Sequence, residues 1–229
     1  MKNKRTLLAI TLFAFSSTLS AQFAADITFG YDTSVLDPGG AYETVGDTWG
    51  RIYDSTGTTA LAENDSVAAI GYFTSEPTNW SANIGIFDDF VFLAQGNVEN
   101  FGTPFPGDFN TTAPGVDVTA ANGLTAYFAV FKGVTDTANY ASATEFALLS
   151  SSNWIAIGGA ESPSTPTELA YTIGRTAIGA GVYVGTEVDD TRFDDGEGFN
   201  YNTAVVVPEP SAFALLFSLS VLFFAARRR

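Results

Sequence analysis

Short apolar runs separated by polar, glycine-bearing stretches recur through the middle of this chain of 229 residues. The runs are rich in Val, Ile, Thr, Tyr and Phe, which favour β-strands. Predicted strands cover residues 27–31, 48–53, 67–73, 116–119, 124–131, 145–149, 154–157, 169–173, 181–188 and 204–206. Because many short strands follow one another closely, the pattern predicts one all-β domain over residues 22–206, either a β-sandwich or a jelly roll.

One strand and one turn stand out within this domain. Residues 124–131 are apolar almost throughout, which predicts a central strand covered on both faces. Asn122 and Gly123 come just before it and tolerate positive φ, so they predict a hairpin turn from strand 116–119.

Three segments between the strands carry other predictions. Apolar residues at helix-like spacing predict a short helix over residues 84–93, although its Phe-rich composition also allows a strand. Residues 100–115 and 158–167 contain several Pro and Gly residues and are predicted to be loops.

The N-terminus has the layout of a secretory signal peptide. Lys2, Lys4 and Arg5 precede an apolar run over residues 6–19, and small residues follow up to Ala21. A buried core helix is the alternative, but it would not explain this order of basic, apolar and small residues. We therefore predict a signal peptide over residues 1–21 and export by the Sec machinery.

The C-terminus predicts a transmembrane helix. Residues 211–226 carry no charge, and a helix of that length spans roughly 24 Å, slightly less than a hydrocarbon core of about 30 Å. Arg227, Arg228 and Arg229 follow at once and obey the positive-inside rule, as the basic N-terminus does. Both ends are therefore expected at the cytoplasmic side, with residues 22–206 exported.

Val207, Pro208, Glu209 and Pro210 directly precede the apolar segment. The two prolines favour an extended backbone, the conformation that a protease groove binds. Pro-Glu-Pro, a transmembrane helix and a terminal arginine cluster together resemble the PEP-CTERM sorting signal of Gram-negative bacteria. An ordinary permanent membrane anchor is the alternative.

The resemblance covers residues 207–229 only, with the motif at 207–210, the helix at 211–226 and the arginines at 227–229. It implies that an exosortase, a membrane-embedded processing enzyme, recognises the chain and cleaves it near the motif. It also implies passage through the inner membrane to the cell surface or medium, and a link to extracellular polysaccharide and biofilm.

Composition excludes several kinds of chemistry. The chain has no Cys and no His, which removes disulfides, Cys-based metal sites and the usual Ser-His-Asp triad. Residues 22–206 hold four basic residues against 24 acidic ones, a net charge of −20. Nucleic acid is therefore not an expected partner, because its binding depends on Lys and Arg.

An acidic, glycine-bearing segment is a weak candidate for Ca²⁺, which prefers hard oxygen ligands. Its acids are Glu187, Asp189, Asp190, Asp194, Asp195 and Glu197. Their spacing does not match an EF-hand, and a solvated acidic loop is the alternative. Asp88 and Asp89 are weaker still, because adjacent strand residues point to opposite faces. No other cofactor is predicted.

Exposed aromatic residues would suit carbohydrate binding, although aromatic side chains in β domains are more often core. The candidates are Trp49, Trp80, Trp154, Tyr53, Tyr72, Tyr127, Tyr171, Tyr183 and Tyr201. We therefore expect an exported, non-catalytic cell-surface or matrix protein. One alternative is a polysaccharide-binding β-sandwich module, steadied by Ca²⁺. Another is a glycan-acting enzyme with a carboxylate pair.

Overall fold

The computed structural model describes residues 23–31, 50–97, 110–154, 156–158, 167–173, 178–189 and 199–207. These residues are mostly β, as predicted. The strands are β1 (Ala24–Tyr31), β2 (Ile52–Tyr53), β3 (Ser66–Phe73), β4 (Phe90–Asn97), β5 (Asn110–Asp117), β6 (Tyr127–Lys132), β7 (Glu145–Leu149), β8 (Thr167–Ile173), β9 (Val182–Val184), β10 (Thr186–Asp189), β11 (Phe199–Asn202) and β12 (Ala204–Val205). Short 3-10 helices cover Glu63–Asp65, Ile84–Asp89, Thr119–Ala121, Thr137–Ser142 and Gly179–Gly181.

The largest sheet is antiparallel and runs in the order β12-β7-β6-β3-β4, with β9 also paired to β7. Strands β12 and β9 share one edge of β7. Strand β12 lies opposite Glu145 and Phe146, and β9 lies opposite Leu148 and Leu149. The last described strand is therefore joined to the interior of this sheet through β7.

Strand β6 confirms the prediction of a central strand covered on both faces for residues 127–131, whereas residues 124–126 precede the strand and Leu124 is exposed. Its residues from Tyr127 to Phe131 are all buried. Phe128 and Val130 belong to one apolar cluster, whereas Tyr127 and Phe131 belong to another on the opposite face. A strand covered in this way carries a continuous apolar run rather than alternating residues, which explains its sequence pattern.

Two smaller sheets accompany the large one. One has the order β5-β1-β8, with β1 antiparallel to β5 and parallel to β8. The other has the order β10-β11-β2, with β11 parallel to β2. Parallel neighbours require a long connection between them, so the chain crosses between sheets instead of forming only hairpins.

The first apolar cluster lies between the β5-β1-β8 sheet and the large sheet. It contains Ile27 and Phe29 from β1, Tyr171 from β8, and Ile70 and Phe128 from the large sheet. The rings of Phe29 and Phe128 lie 6.0 Å apart, centre to centre. Burial of these side chains joins the two sheets.

The second apolar cluster, on the other face of the large sheet, has Phe87 at its centre. The ring of Phe87 lies 4.8 Å from that of Phe131, 5.2 Å from Phe146 and 5.3 Å from Phe90. Phe87 belongs to the 3-10 helix Ile84–Asp89, and β4 begins at Phe90. The predicted helix over residues 84–93 is thus confirmed only over 84–89, as a 3-10 helix. Residues 90–93 belong to strand β4.

The predicted hairpin at Asn122 and Gly123 is wrong, although the turn itself exists. Gly123 has φ +81°, Asn122 has φ −57° and ψ 121°, and the N–H of Leu124 donates to the carbonyl of Ala121 at 2.9 Å. These values describe a type II turn, which needs positive φ only at the glycine. The turn links different sheets, because β5 pairs with β1 whereas β6 pairs with β3 and β7.

Two other segments differ from the sequence predictions. Residues 110–115, predicted as loop, belong to β5, which tolerates Pro114 because it lies at the end of its sheet. The segment 154–157, predicted as a strand, has no strand among its described residues. There the N–H of Ile157 donates to the carbonyl of Leu124 at 2.9 Å, so the segment is hydrogen-bonded to the turn at Asn122 and Gly123.

Residues 181–188, predicted as one strand, form two strands separated by Gly185. Gly185 has φ +104°, and a Cβ at this position would lie 2.3 Å from the carbonyl oxygen of Asn202. Only glycine fits this close approach. The break lets β9 pair with β7 while β10 pairs with β11.

Candidate functional site

The predicted calcium cluster lies mostly outside the described residues, and calcium there stays a prediction. The residues outside are Asp190, Asp194, Asp195 and Glu197. Asp189 is exposed at the end of β10. The carboxylate of Glu187 instead accepts the N–H groups of Ile178 at 2.6 Å and Gly179 at 2.8 Å. Within the ranges that the structure describes, no three or more carboxylates form a metal-binding group.

The predicted sorting motif begins where the described chain ends. Val206 donates its N–H to the carbonyl of Thr144 at 2.9 Å, and Val207 donates to that of Ala82 at 2.8 Å. Outside the described residues lie residues 1–21, Pro208, Glu209, Pro210, the apolar segment 211–226, Arg227, Arg228 and Arg229. None of the helices in the described portion is long and apolar enough to cross a bilayer.

Lys132, at the end of β6, lies between two carboxylates. Its Nζ is 2.9 Å from Glu145 Oε1 and 3.8 Å from Asp54 Oδ2. Glu145 Oε2 also accepts from the N–H of Ser55 and the hydroxyl of Thr203. The hydrogen bond with Glu145 raises the pKa of Lys132. Burial acts to raise the pKa of Glu145, but the bonds from Thr203, Lys132 and Ser55 hold that pKa below its ordinary value.

Asp54 closes a tight turn beside this ion pair. Its Oδ1 accepts from the hydroxyl of Thr56 at 2.7 Å and the N–H of Thr56 at 3.1 Å. The pKa of Asp54 falls to about 2, chiefly through the Thr56 hydroxyl, with help from the N–H groups of Thr59 and Thr58 and from Lys132, against an opposing effect of burial. Each group here is occupied by a protein partner, so the cluster joins strand ends rather than offering a site for chemistry.

An Asp54→Asn variant tests this assignment through pH. Because the pKa of Asp54 is lowered from 3.8 to about 2, its contribution to stability is fully present above pH 3.8. That contribution disappears as the pH falls toward about 2. We therefore expect the variant to be less stable than the wild type at neutral pH, with the two thermal midpoints converging across that window. Exposed Asp189→Asn is the control. Parallel curves for Asp54→Asn and the wild type would contradict the assignment.

Four of the nine aromatic residues considered for sugar binding belong to the core. Tyr72, Tyr127, Tyr171 and Tyr201 are buried, Trp49 lies outside the described residues, and Tyr53, Trp80, Trp154 and Tyr183 are partly exposed. The indole N–H of Trp154 donates to the carbonyl of Thr172 at 3.0 Å. The rings of Trp80 and Tyr183 lie 4.3 Å apart, and Trp80 also stacks on Tyr127 at 5.8 Å. We call Trp80 and Tyr183 the aromatic pair.

An open cleft of about 370 Å³ has Asn79, the chain neighbour of Trp80, among its lining residues. The connection after β3 contributes one wall, and the 3-10 helix Ile84–Asp89 contributes the other. The lining residues are Ser75, Glu76, Pro77, Thr78, Asn79, Gly85, Ile86 and Asp89. The described residues of this lining carry hydroxyl, amide and carboxylate groups and include no Lys or Arg. Such groups donate or accept hydrogen bonds with the hydroxyls of a sugar.

Glu76 links the cleft to the aromatic cluster. Its Oε1 accepts from the hydroxyl of Tyr127 at 2.7 Å. Burial, then this bond, raises the pKa of Tyr127, so its hydroxyl stays protonated and remains a donor. One oxygen of the exposed Glu76 carboxylate is thus held by a buried partner. Because Tyr127 also stacks on Trp80, the carboxylate and the aromatic pair keep a defined arrangement.

Backbone contacts hold the two walls of the cleft together. The N–H of Thr74 donates to the carbonyl of Asp89 at 2.9 Å, and the Asn83 side chain caps the 3-10 helix by accepting from Gly85 N–H at 2.9 Å. The hydroxyl of Tyr140 reaches Asp88 Oδ1 at 3.3 Å. Asp88 and Asp89 therefore lie on a helix and not on a strand, and only Asp89 lines the cleft.

Neither the contact of Glu76 with Tyr127 nor the ion pair of Lys132 and Glu145 is predicted by the sequence. Register explains the ion pair, because Lys132 and Glu145 are directly opposite on β6 and β7. Lys132 follows one predicted strand and Glu145 begins the next, 13 positions later, so a hairpin between these strands could have suggested the pair. Glu76 and Tyr127 are 51 positions apart, and nothing in the local pattern relates them.

Comparisons with protein-family models, curated proteins and solved structures find no match for this chain.

Proposed function

We propose that this chain is an exported, non-catalytic protein of the cell surface or extracellular matrix of a Gram-negative bacterium. An exosortase sorts and processes it after Sec export, and its role is linked to exopolysaccharide. The observation that carries this proposal is the order Pro208–Pro210, uncharged segment 211–226 and terminal arginines.

The contacts of the last described residues support the proposal. Val206 and Val207 are both hydrogen-bonded to the β-rich body, through Thr144 and Ala82. The first residue of the motif, Val207, is therefore also the last described residue that is hydrogen-bonded to this body. Cleavage within or just after the motif would remove the apolar segment and leave the hydrogen-bonded strand β12 intact.

Mass spectrometry of the protein from exosortase-bearing cells tests this function. We expect the mature chain to lack residues 213–229, and a Pro208→Ala/Pro210→Ala variant to retain them, because the enzyme would lose its extended recognition segment. Pro114→Ala, in the exposed part of β5, is the matched control and should be processed normally. A wild-type mature chain that still ends at Arg229 would contradict processing.

A second function, carbohydrate binding by a β-sandwich module, is favoured by the polar cleft and by the partly exposed aromatic pair. The shared apolar cluster of Phe29, Phe128 and Tyr171 supports a sandwich, because it contains residues of two sheets. Polar groups next to partly exposed rings suit sugar hydroxyls and sugar faces. A glycan array with the full chain in detergent tests this function. Indifference to every glycan would contradict it.

A further inference from the structure

The cleft has a charge character that narrows its ligand. Glu76 and Asp89 supply two carboxylates, and among the part of the chain that the structure describes no basic side chain lines the cleft to neutralise them. A glycan with uronic acids would be repelled here, and a neutral glycan would offer hydroxyl donors but no positive charge to either carboxylate. A cationic group would satisfy both, since charge-assisted hydrogen bonds are stronger than neutral ones.

We propose that this cleft binds a glycan carrying protonated amino groups, such as an oligomer of de-acetylated hexosamine. The proposal rests on the carbohydrate-binding function given above. The sugar amines would bind Glu76 and Asp89, and the hydroxyls of the sugar would bind Ser75, Thr78 and Asn79 of the same lining.

Glu76 has acceptor positions left for a ligand. Tyr127 holds only Oε1, at 2.7 Å, and the exposed Glu76 is one of the residues that line the cleft. The cleft volume falls within the roughly 300–1,000 Å³ of small-molecule sites. A metal ion is a poorer occupant, because hard cations such as Ca²⁺ need six or more oxygen ligands, and two carboxylates start such a set poorly.

The aromatic pair is connected to the cleft through the chain and through Tyr127. Trp80 follows the cleft residue Asn79 in the chain and is partly exposed, as is Tyr183. Their rings are fixed by packing against Tyr127, which also holds Glu76. An aromatic face beside a cation-binding carboxylate can contact the apolar face of an amino sugar while its amine binds the charge.

Titration calorimetry with short glucosamine oligomers tests the proposal. The full chain in detergent is titrated at mildly acidic pH and physiological salt, where screening weakens long-range attraction to the acidic body. The comparison ligands are the N-acetylated oligomer and an oligouronate of equal length. We expect the amino oligomer to bind about tenfold more tightly than its acetylated form, or ~1.4 kcal/mol.

Charge-removing variants locate the site. Glu76→Gln keeps an oxygen for the Tyr127 hydroxyl but loses the charge, and Asp89→Asn removes the second charge. Each is expected to abolish the tenfold preference. Glu168→Gln, an exposed carboxylate on β8, is the matched control and should bind like the wild type. Thermal midpoints close to that of the wild type would establish that the variants remain folded.

The outcomes separate this proposal from the function on which it rests. Equal binding of amino and acetylated oligomers, unchanged in Glu76→Gln, would overturn the amino-glycan site while leaving carbohydrate binding in place. Equal loss of binding in Glu168→Gln would overturn it as general charge attraction. Cleavage of the glucosamine oligomer into shorter products in the calorimeter cell would overturn it in favour of hydrolysis. Failure of every glycan to bind would contradict the carbohydrate function itself.

Discussion

Replacement of Phe87 by alanine is expected to lower the free energy of unfolding by about 4 kcal/mol, in the range for buried Phe→Ala changes. Phe87 is 1% exposed and contacts the rings of Phe90, Phe131 and Phe146. A short 3-10 helix cannot readily collapse into the space, so a cavity would remain. Urea unfolding followed by tryptophan fluorescence measures the change.

Leu124→Ala is the control for this experiment. Leu124 is an apolar side chain of comparable chemistry, but it is 37% exposed and should cost far less, within about 1 kcal/mol. If Phe87→Ala were no more destabilising than Leu124→Ala, the second apolar cluster would not be a packed core. The cleft would then lose its structural support, because Gly85, Ile86 and Asp89 come from the same helix as Phe87.

Lys132→Met should cost about 2 kcal/mol, because it leaves two carboxylates close together without their cation. Glu145 and Asp54 are both largely buried, with side chains 13% and 12% exposed. Methionine preserves the apolar stem of lysine, so the loss measures charge more than packing. Thermal and urea unfolding at neutral pH give the change.

A double-mutant cycle with Glu145→Gln separates this ion pair from its surroundings. Glutamine keeps an oxygen for Ser55 and Thr203 but removes the charge that faces Lys132. We expect Lys132→Met to cost at least about 1 kcal/mol less in the Glu145→Gln background. Costs that simply add would mean that the 2.9 Å contact between Lys132 and Glu145 contributes nothing measurable to stability.

The local sequence pattern was sufficient to predict strands whose own residues determine their structure. Residues 145–149 read as a strand and form one, and the apolar run that leads into β6 predicted its double-faced burial. Pattern failed where a distant partner decides the structure. Residues 110–115 contain Pro114 and look like a loop, but pairing with β1 makes them a strand. Gly185 breaks a plausible strand because the backbone of Asn202 approaches it closely.

The candidate cleft was less predictable than the fold. Its lining combines the segment after β3, which includes Glu76, with a 3-10 helix that begins at Ile84. Nothing in that order of residues indicates a pocket. Trp80 and Tyr183 were recognised only as members of a long aromatic set. Their separation from core residues such as Tyr171 requires knowledge of exposure, which depends on how the sheets pack.

The pairing of β12 with β7 has a mechanical consequence. Any tension on the chain beyond Val207 would pass first into the hydrogen bonds of Val207 and Val206, and then into β12. Because β7 is also paired with β6 and β9, that tension would be shared by the largest sheet instead of stretching a loose tail. A body attached in this way would transmit a pull from its C-terminal side directly to its core.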